Sequence, residues 1–189
     1  RCACSLSESQ CNRFKRAQNE AIKLLEQRLG NLQDAQNALE NGEQLNDAQS
    51  NALDDLATFF GSSGEGVEGV KAAIDSGNKL LGELKGNKPA VLGRHNDSAR
   101  AELGVRGLSL GKKFFKQEAK GRVFTLVHEA AHTSGVAPKD FEINPHTGGR
   151  TIGSYGLINA LRRGDLHPKE AIRSPDSNTY AFGFRRVGD

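Results

Sequence analysis

The sequence contains no methionine and no tryptophan, and it has only two tyrosines and three cysteines. Because translation starts at methionine, we expect a chain without any methionine to be a processed or excised part of a larger precursor. No apolar run approaches the roughly 18 residues that cross a bilayer, and no signal-peptide pattern begins at Arg1. The sequence therefore predicts that the chain has no membrane partner.

A strong excess of charge of one sign is also lacking. The chain has 26 Lys and Arg against 23 Asp and Glu, which gives a net charge of +3. Both signs are interspersed as on an ordinary solvated surface, so the composition gives little support to nucleic-acid binding. A length of 189 residues with 36% hydrophobic residues is sufficient for one domain with its own core. We therefore predict a single domain over residues 1–189 and no nucleic-acid partner.

The three cysteines, Cys2, Cys4 and Cys11, all lie within the first eleven residues. This clustering predicts one disulfide that ties an N-terminal strand to the first helix and leaves one thiol over. The pairing stays open at this point. A metal cluster is disfavoured, because the spacing does not match a structural zinc knuckle and no histidine lies nearby.

Two kinds of apolar pattern divide the chain into two parts. In the first part, residues 1–86, apolar residues recur every three or four positions, which predicts helices around Phe14–Leu25, Leu45–Phe59 and Val67–Leu84. Ser7 and Gln10 form a capping-box pattern before the first helix. In the second part, residues 87–189, the short apolar runs Ala90–Leu92 and Leu108–Leu110 predict strands.

The most informative stretch is His128-Glu129-Ala130-Ala131-His132. Residues i and i+4 of an α-helix lie on one face, so both imidazoles can reach a single metal ion. Glu129 is turned aside from such an ion, where its carboxylate could hold and deprotonate a water. Apolar residues at helical spacing between positions 123 and 131 predict a largely buried helix, which Gly135 and Pro138 would end.

A catalytic zinc site needs a third protein ligand besides two histidines. The H-E-x-x-H-x-x-G-x-x-H pattern would place its third histidine at Pro138, which has no ligand atom. Glu170 lies in a proline-flanked segment that does not match the usual glutamate-helix motif. Asp140 follows the helix break, where a reversing loop should pass beneath the ion, and it is the predicted third ligand. His146 and Glu142 stay open as alternatives.

These residues resemble the aspzincins, the zinc metallopeptidases of the deuterolysin and peptidyl-lysine metalloendopeptidase type. The resemblance covers about half of the chain and includes Cys11 followed by a long helix. Its segments are Leu108–Phe115, Thr125–Val136, Pro138–Asp140, Tyr155-Gly156 and Asp176–Tyr180. In the family a Tyr-Gly pair closely follows the metal aspartate, whereas this chain has Ile143 there and Tyr155-Gly156 after an insertion. The family's Asn-x-Asp-x-Tyr element reads Asp176-Ser-Asn-Thr-Tyr180 here, with the polar residues exchanged.

The resemblance implies an α+β, zincin-like fold. Residues 1–86 would form an N-terminal helical pack, and residues 87–189 would form the catalytic part, with a small twisted sheet and the metal helix under a cleft. The implied metal is Zn²⁺, held by His128, His132 and Asp140.

The implied activity is that of a zinc-dependent metalloendopeptidase, which hydrolyses peptide bonds with a zinc-activated water. Glu129 would take a proton from this water and pass it to the leaving amine. A tyrosine would stabilise the oxyanion. Since the chain has only two tyrosines, Tyr155 is the first candidate and Tyr180 the reserve.

A protein or peptide substrate is the expected partner. We expect the chain to be the secreted or exported catalytic part of a larger protein, such as a bacterial toxin or effector, with an inhibitor or immunity protein as a further partner. One alternative is a non-catalytic interaction module whose structural zinc is closed by His146 as fourth ligand. Another is a zinc hydrolase that acts on peptidoglycan cross-links.

Overall fold

The computed structural model describes residues 2–86, 89–94, 97–101, 108–138, 140, 143 and 152–189. These residues form a mostly helical structure with one small sheet, and the predicted α+β class is confirmed. The helices are α1 (Glu8–Asn41), α2 (Asp47–Phe60), α3 (Gly66–Lys85), α4 (Lys112–Lys116), α5 (Ala119–Thr133), α6 (Leu157–Leu166), α7 (Pro168–Ala171) and α8 (Pro175–Ala181). The strands are β1 (Ala90–Leu92), β2 (Ala99–Ala101) and β3 (Leu108–Leu110).

Helix α1 begins at the predicted capping box and continues far beyond the predicted segment. Ser7 Oγ accepts from the Gln10 backbone N–H, and the Gln10 side chain accepts from the Ser7 N–H. The helix continues past Leu25 because four further residues bury their apolar side chains at helical spacing: Leu29, Leu32, Ala35 and Ala38. It ends at Asn41 and is capped by Gly42, whose φ of 67° is the left-handed conformation that glycine adopts without strain.

The core lies where α1 packs against α2, α3 and α5, and where α8 packs against α2 and α5. Its largest fully buried side chains include Phe114, Phe124, Tyr180 and Phe182. Helix α5 thus has packing partners on several sides, which fixes its position. Among the described helices, none is both long enough and apolar enough for a bilayer crossing.

The small sheet has the strand order β1-β3-β2. Strand β3 pairs in parallel with β1 and antiparallel with β2, and both predicted strands are confirmed, whereas β2 was not predicted. The N-terminal segment joins this sheet through a parallel bridge between Cys2 and Ala90. A disulfide between Cys2 and Cys11 ties the segment to α1, and Cys4 is a free, exposed thiol. The prediction of one disulfide with one cysteine left over is therefore confirmed.

Helix α6 lies directly on the backbone at the end of α2. A Cβ atom at Gly164 would overlap the carbonyl oxygen of Thr58, and a Cβ atom at Gly61 would overlap the carbonyl oxygen of Gly164. Only residues without a side chain allow this close approach. The two glycines therefore set the position of α6, which lies next to the candidate site.

Candidate metal centre and cleft

Helix α5 carries His128 and His132 one turn apart, as the spacing predicts, and both side chains are buried. The helix ends at Thr133, and Gly135 turns the chain with a φ of 78°. After this turn the Ala137 N–H donates back to the Ala131 carbonyl at 2.9 Å. The chain therefore reverses directly after the second histidine, which brings Asp140 in front of α5.

The Asp140 carboxylate faces both imidazoles. Its Oδ2 lies 3.4 Å from His132 Nε2, and its Oδ1 lies 3.8 Å from His128 Nε2. Two ligands of one tetrahedral zinc, each about 2.0–2.2 Å from the ion, lie about 3.3–3.6 Å apart. Ligand atoms of the three residues all lie within 4.8 Å of one another, so the group could hold a metal ion. Within the described part of the chain, no other group of three or more such side chains meets this condition.

The second ring nitrogen of each histidine is held by an acceptor. His128 Nδ1 lies 2.6 Å from Asp176 Oδ1, and His132 Nδ1 lies 3.0 Å from the Ala137 carbonyl oxygen. Because a carbonyl and a carboxylate only accept, both Nδ1 atoms carry the proton. In the neutral imidazoles the lone pair is then on Nε2, which faces Asp140. This tautomer is the one that metal-ligating histidines need.

Asp176, at the start of α8, is fully buried and collects several donors. Besides His128, the Gly156 backbone N–H donates to Oδ2 at 2.5 Å, and Arg186 Nη2 lies 3.0 Å from both carboxylate oxygens. Burial alone would raise the pKa of Asp176, but the hydrogen bond and charge of His128, together with Arg186, lower it. Asp176 therefore stays ionised and orients His128.

Sequence reasoning did not assign Asp176 or Arg186 to this site. In the sequence Asp176 stands out only as part of the Asp176–Tyr180 element, and no motif includes Arg186. A signal did exist, because a ligand histidine needs an acceptor for its second ring nitrogen, and carboxylates are common partners. The sequence does not show which carboxylate folds back onto His128 from 48 positions away.

Tyr155 lies at the mouth of the candidate centre. Its hydroxyl donates to Asp140 Oδ2 at 2.7 Å, and its ring stacks on His128 with a centroid distance of 5.8 Å. The residue is 54% exposed. Partial burial of the phenol, the hydrogen bond to Asp140 and nearby carboxylates together raise the pKa of Tyr155. The phenol therefore keeps its proton and remains a donor at neutral pH.

Tyr180, the reserve candidate, lies in the core. It is fully buried, and its ring packs on Phe59 at 5.3 Å and on Phe124 at 4.9 Å between centroids. Tyr180 is not among the residues that line the cleft in front of the histidines. Its position therefore gives no support to a role as oxyanion donor.

The protonation of the candidate ligands is coupled. Burial alone would lower the pKa of His132, but the hydrogen bond and charge of Asp140, together with the charge of Glu129, raise it. Burial alone would raise the pKa of Asp140, but hydrogen bonds from His132 and Tyr155 lower it. Without a metal, the pair therefore favours a protonated imidazole beside a carboxylate, and a metal ion must displace that proton.

A cleft of about 1150 Å³ opens in front of these residues. Glu129 lines it with only 9% of its surface exposed, next to the two histidines. Strand β2 contributes Ala99 to another part of the wall. The charged residues on the remaining walls have both signs: Asp97, Lys113, Glu118 and Arg186.

The other candidate ligands are His146, Glu142 and Glu170. His146 and Glu142 lie outside the described residues. Glu170 is on α7 and does not belong to the metal-ligand group found among the described residues.

No protein-family model matches this sequence, and no curated protein is significantly similar to it. The resemblance to the aspzincins therefore stays a prediction from the motifs.

Proposed function

We propose that this chain is a zinc-dependent metalloendopeptidase with a zincin-like fold, in which His128, His132 and Asp140 hold the metal. The main support is that both histidines donate from Nδ1 and direct Nε2 towards Asp140, beside Glu129 in a cleft. Two nitrogen donors and one carboxylate suit zinc. When bound, zinc would act as a Lewis acid that polarises the scissile carbonyl and lowers the pKa of a water.

Two side chains would then perform the proton transfer and the charge stabilisation. Glu129 would take the proton of the attacking water and pass it to the leaving amine, because this residue lines the cleft one position from the first ligand. Tyr155 donates to Asp140 in this structure, and with a substrate bound its hydroxyl would turn that one donor to the oxyanion, since its raised pKa keeps the phenol protonated. Asp176 and the Ala137 carbonyl keep the two imidazoles in the same orientation during the reaction.

A peptide is the substrate class that this cleft favours. Strand β2 is one of the two outer strands of the described sheet, and Ala99 on it lines the cleft. An outer strand can pair with an extended peptide through main-chain hydrogen bonds. Such pairing uses only the substrate's main chain, so it can hold a segment within a longer polypeptide, as an endopeptidase requires.

We also propose an exported protein as the source of this activity. The disulfide between Cys2 and Cys11 supports this proposal, because disulfides persist in oxidising compartments outside the cytosol. A toxin or effector that carries this peptidase would need an inhibitor or immunity protein in the producing cell.

The test combines metal analysis with Glu129→Gln. We expect about one zinc per chain by elemental analysis, and casein hydrolysis that a chelator abolishes. Glu129→Gln should keep the zinc and the fold but lose about 10²–10⁴ in turnover, because an amide cannot accept the water's proton. Glu20→Gln, on the exposed face of α1, is the matched control and should retain full activity. Absence of zinc, or full turnover in Glu129→Gln, would refute the proposal.

A further inference from the structure

The segment that carries Tyr155 is held by two side chains of α6. The Gly153 N–H donates to Asn159 Oδ1 at 3.2 Å, and Asn159 Nδ2 donates to the Tyr155 carbonyl at 2.7 Å. Arg163, through Nη2, donates to the Gly153 carbonyl. Asn159 and Arg163 are four positions apart, so they project from the same face of the helix. Both backbone polar groups of Gly153 are therefore bonded to α6.

Arg163 also connects this segment to α8. It is fully buried, and its Nη1 donates to Ser174 Oγ at 2.6 Å and to Ser177 Oγ at 3.0 Å. These serines flank Asp176, the residue that orients His128. A planar guanidinium presents its N–H donors in a rigid arrangement that fits several fixed acceptors at once, whereas an ammonium is a compact charge on a flexible stem. Arg163 therefore fixes the distance between the Tyr155 segment and the start of α8.

Tyr155 depends on this support because its own side chain has little packing. The residue is 54% exposed, and the ring contact found for it is the stacking on His128. Its backbone therefore determines whether the hydroxyl reaches Asp140. Directly after it, Gly156 has a φ of 92° and donates its N–H to Asp176. The segment is thus bonded on both sides of Tyr155.

We infer that Asn159 and Arg163 are positioning residues that hold the Tyr155 phenol over the candidate metal centre. The catalytic consequence rests on the proposed peptidase function, whereas the effect on the Tyr155 contact does not. If Asn159 acts through Tyr155, its removal should affect turnover only while the phenol is present.

The kinetic test is a double-mutant cycle in the zinc-loaded protein. Asn159→Ala should lower kcat about 10- to 100-fold with little change in KM, as for a misplaced catalytic group. In a Tyr155→Phe background, Asn159→Ala should lower kcat less than about twofold, because the effects of coupled substitutions are not additive. Asn19→Ala, on the exposed face of α1, is the matched control and should leave kcat unchanged. Equal losses in both backgrounds would overturn the inference.

The second readout does not need activity. In a Tyr180→Phe background Tyr155 is the only tyrosine, and the chain has no tryptophan, so ultraviolet emission reports on Tyr155 alone. A carboxylate that accepts a hydrogen bond from a phenol quenches its emission. Asn159→Ala should therefore raise the emission of Tyr155 relative to the Tyr180→Phe parent, both in the zinc-loaded protein and after chelation.

The two readouts separate the possible failures. If no variant and no parent hydrolyses peptides, the proposed function fails, and the emission alone decides whether Asn159 positions Tyr155. Unchanged emission in Asn159→Ala overturns the inference whatever the kinetics show. Arg163→Lys keeps the positive charge but loses the planar guanidinium that bonds Gly153, Ser174 and Ser177, so it should also raise the emission of Tyr155. If this buried substitution prevents folding, Asn159→Ala still carries the test.

Discussion

Replacing Asp176 by asparagine tests how the candidate centre orients its first histidine. The carboxylate accepts from His128 Nδ1 at 2.6 Å, from the Gly156 N–H at 2.5 Å and from Arg186 Nη2 at 3.0 Å. An asparagine of the same shape has one carbonyl oxygen and one amide group. If the oxygen still accepts from His128, the amide must face the donors of Gly156 and Arg186. Asp176→Asn therefore removes the negative charge and places the amide N–H donors opposite the N–H donors of Gly156 and Arg186.

The magnitude follows from the two roles of Asp176. Loss of a residue that holds a metal-binding histidine weakens metal binding about 10- to 100-fold, which equals about 1.4–2.7 kcal/mol. The metal-free protein should also lose about 1–3 kcal/mol of unfolding free energy, because buried donors lose their acceptor. Folding lowers the pKa of Asp176, so this stabilisation is present above the unfolded pKa of about 4 and is lost as the pH falls through the folded pKa.

Two measurements check this prediction. Competition with a chromophoric chelator gives the Kd for zinc, and urea denaturation of the metal-free protein between about pH 2 and pH 7 gives the unfolding free energy. The difference between wild type and Asp176→Asn should disappear at the acidic end of this range. Asp165→Asn, at an exposed position of α6, is the matched control. If Asp176→Asn binds zinc within twofold of wild type and unfolds at the same urea concentration, Asp176 does not orient His128.

Three further predictions concern the metal, the pH and the chain turn at the site. Zinc at about 1,000 times its Kd should add about 4 kcal/mol of stability, so chelation should lower the Tm by roughly 8–16 °C in calorimetry, and an unchanged Tm would contradict the site. Because the pKa of His132 is raised, zinc affinity in titrations should already weaken as the pH falls towards about 6.5, and a flat profile from pH 8 to 6 would argue against His132 as a ligand. Gly156→Ala should cost about 1–3 kcal/mol in urea unfolding because of its φ of 92°, whereas Gly82→Ala, within α3 and with open space around it, should be neutral or stabilising.

The parts of the site that the sequence predicts are those with a local signature. Helix α5 and its two histidines follow from apolar periodicity and from the i, i+4 spacing, and both are read within one short segment. Asp140 follows from the helix break, because the turn at Gly135 leaves few residues before the chain must face the histidines again. Such inferences need no knowledge of distant packing.

Features that depend on distant packing were not predictable in this way. Strand β2 has the sequence Ala99-Arg100-Ala101, which lacks the large apolar or β-branched residues that indicate a strand. The role of Asp176 requires α8 to lie against α5, which no local pattern encodes. The choice between Tyr155 and Tyr180 was not predictable for the same reason, because the packing of the whole chain buries Tyr180 against Phe59 and leaves Tyr155 at the cleft.

The backbone contact between α6 and the end of α2 makes the cleft sensitive to positions that touch no substrate. Helix α6 bears the Asn159 and Arg163 side chains, and it can rest on Thr58 only because position 164 has no side chain. Even alanine at Gly164 would push the helix outward, and the segment around Tyr155 would move with it. In a mutational survey selected for turnover, Gly164 should therefore be as intolerant as the residues of the candidate centre, while Gly30 and Gly82, which have open space around them, should accept many replacements.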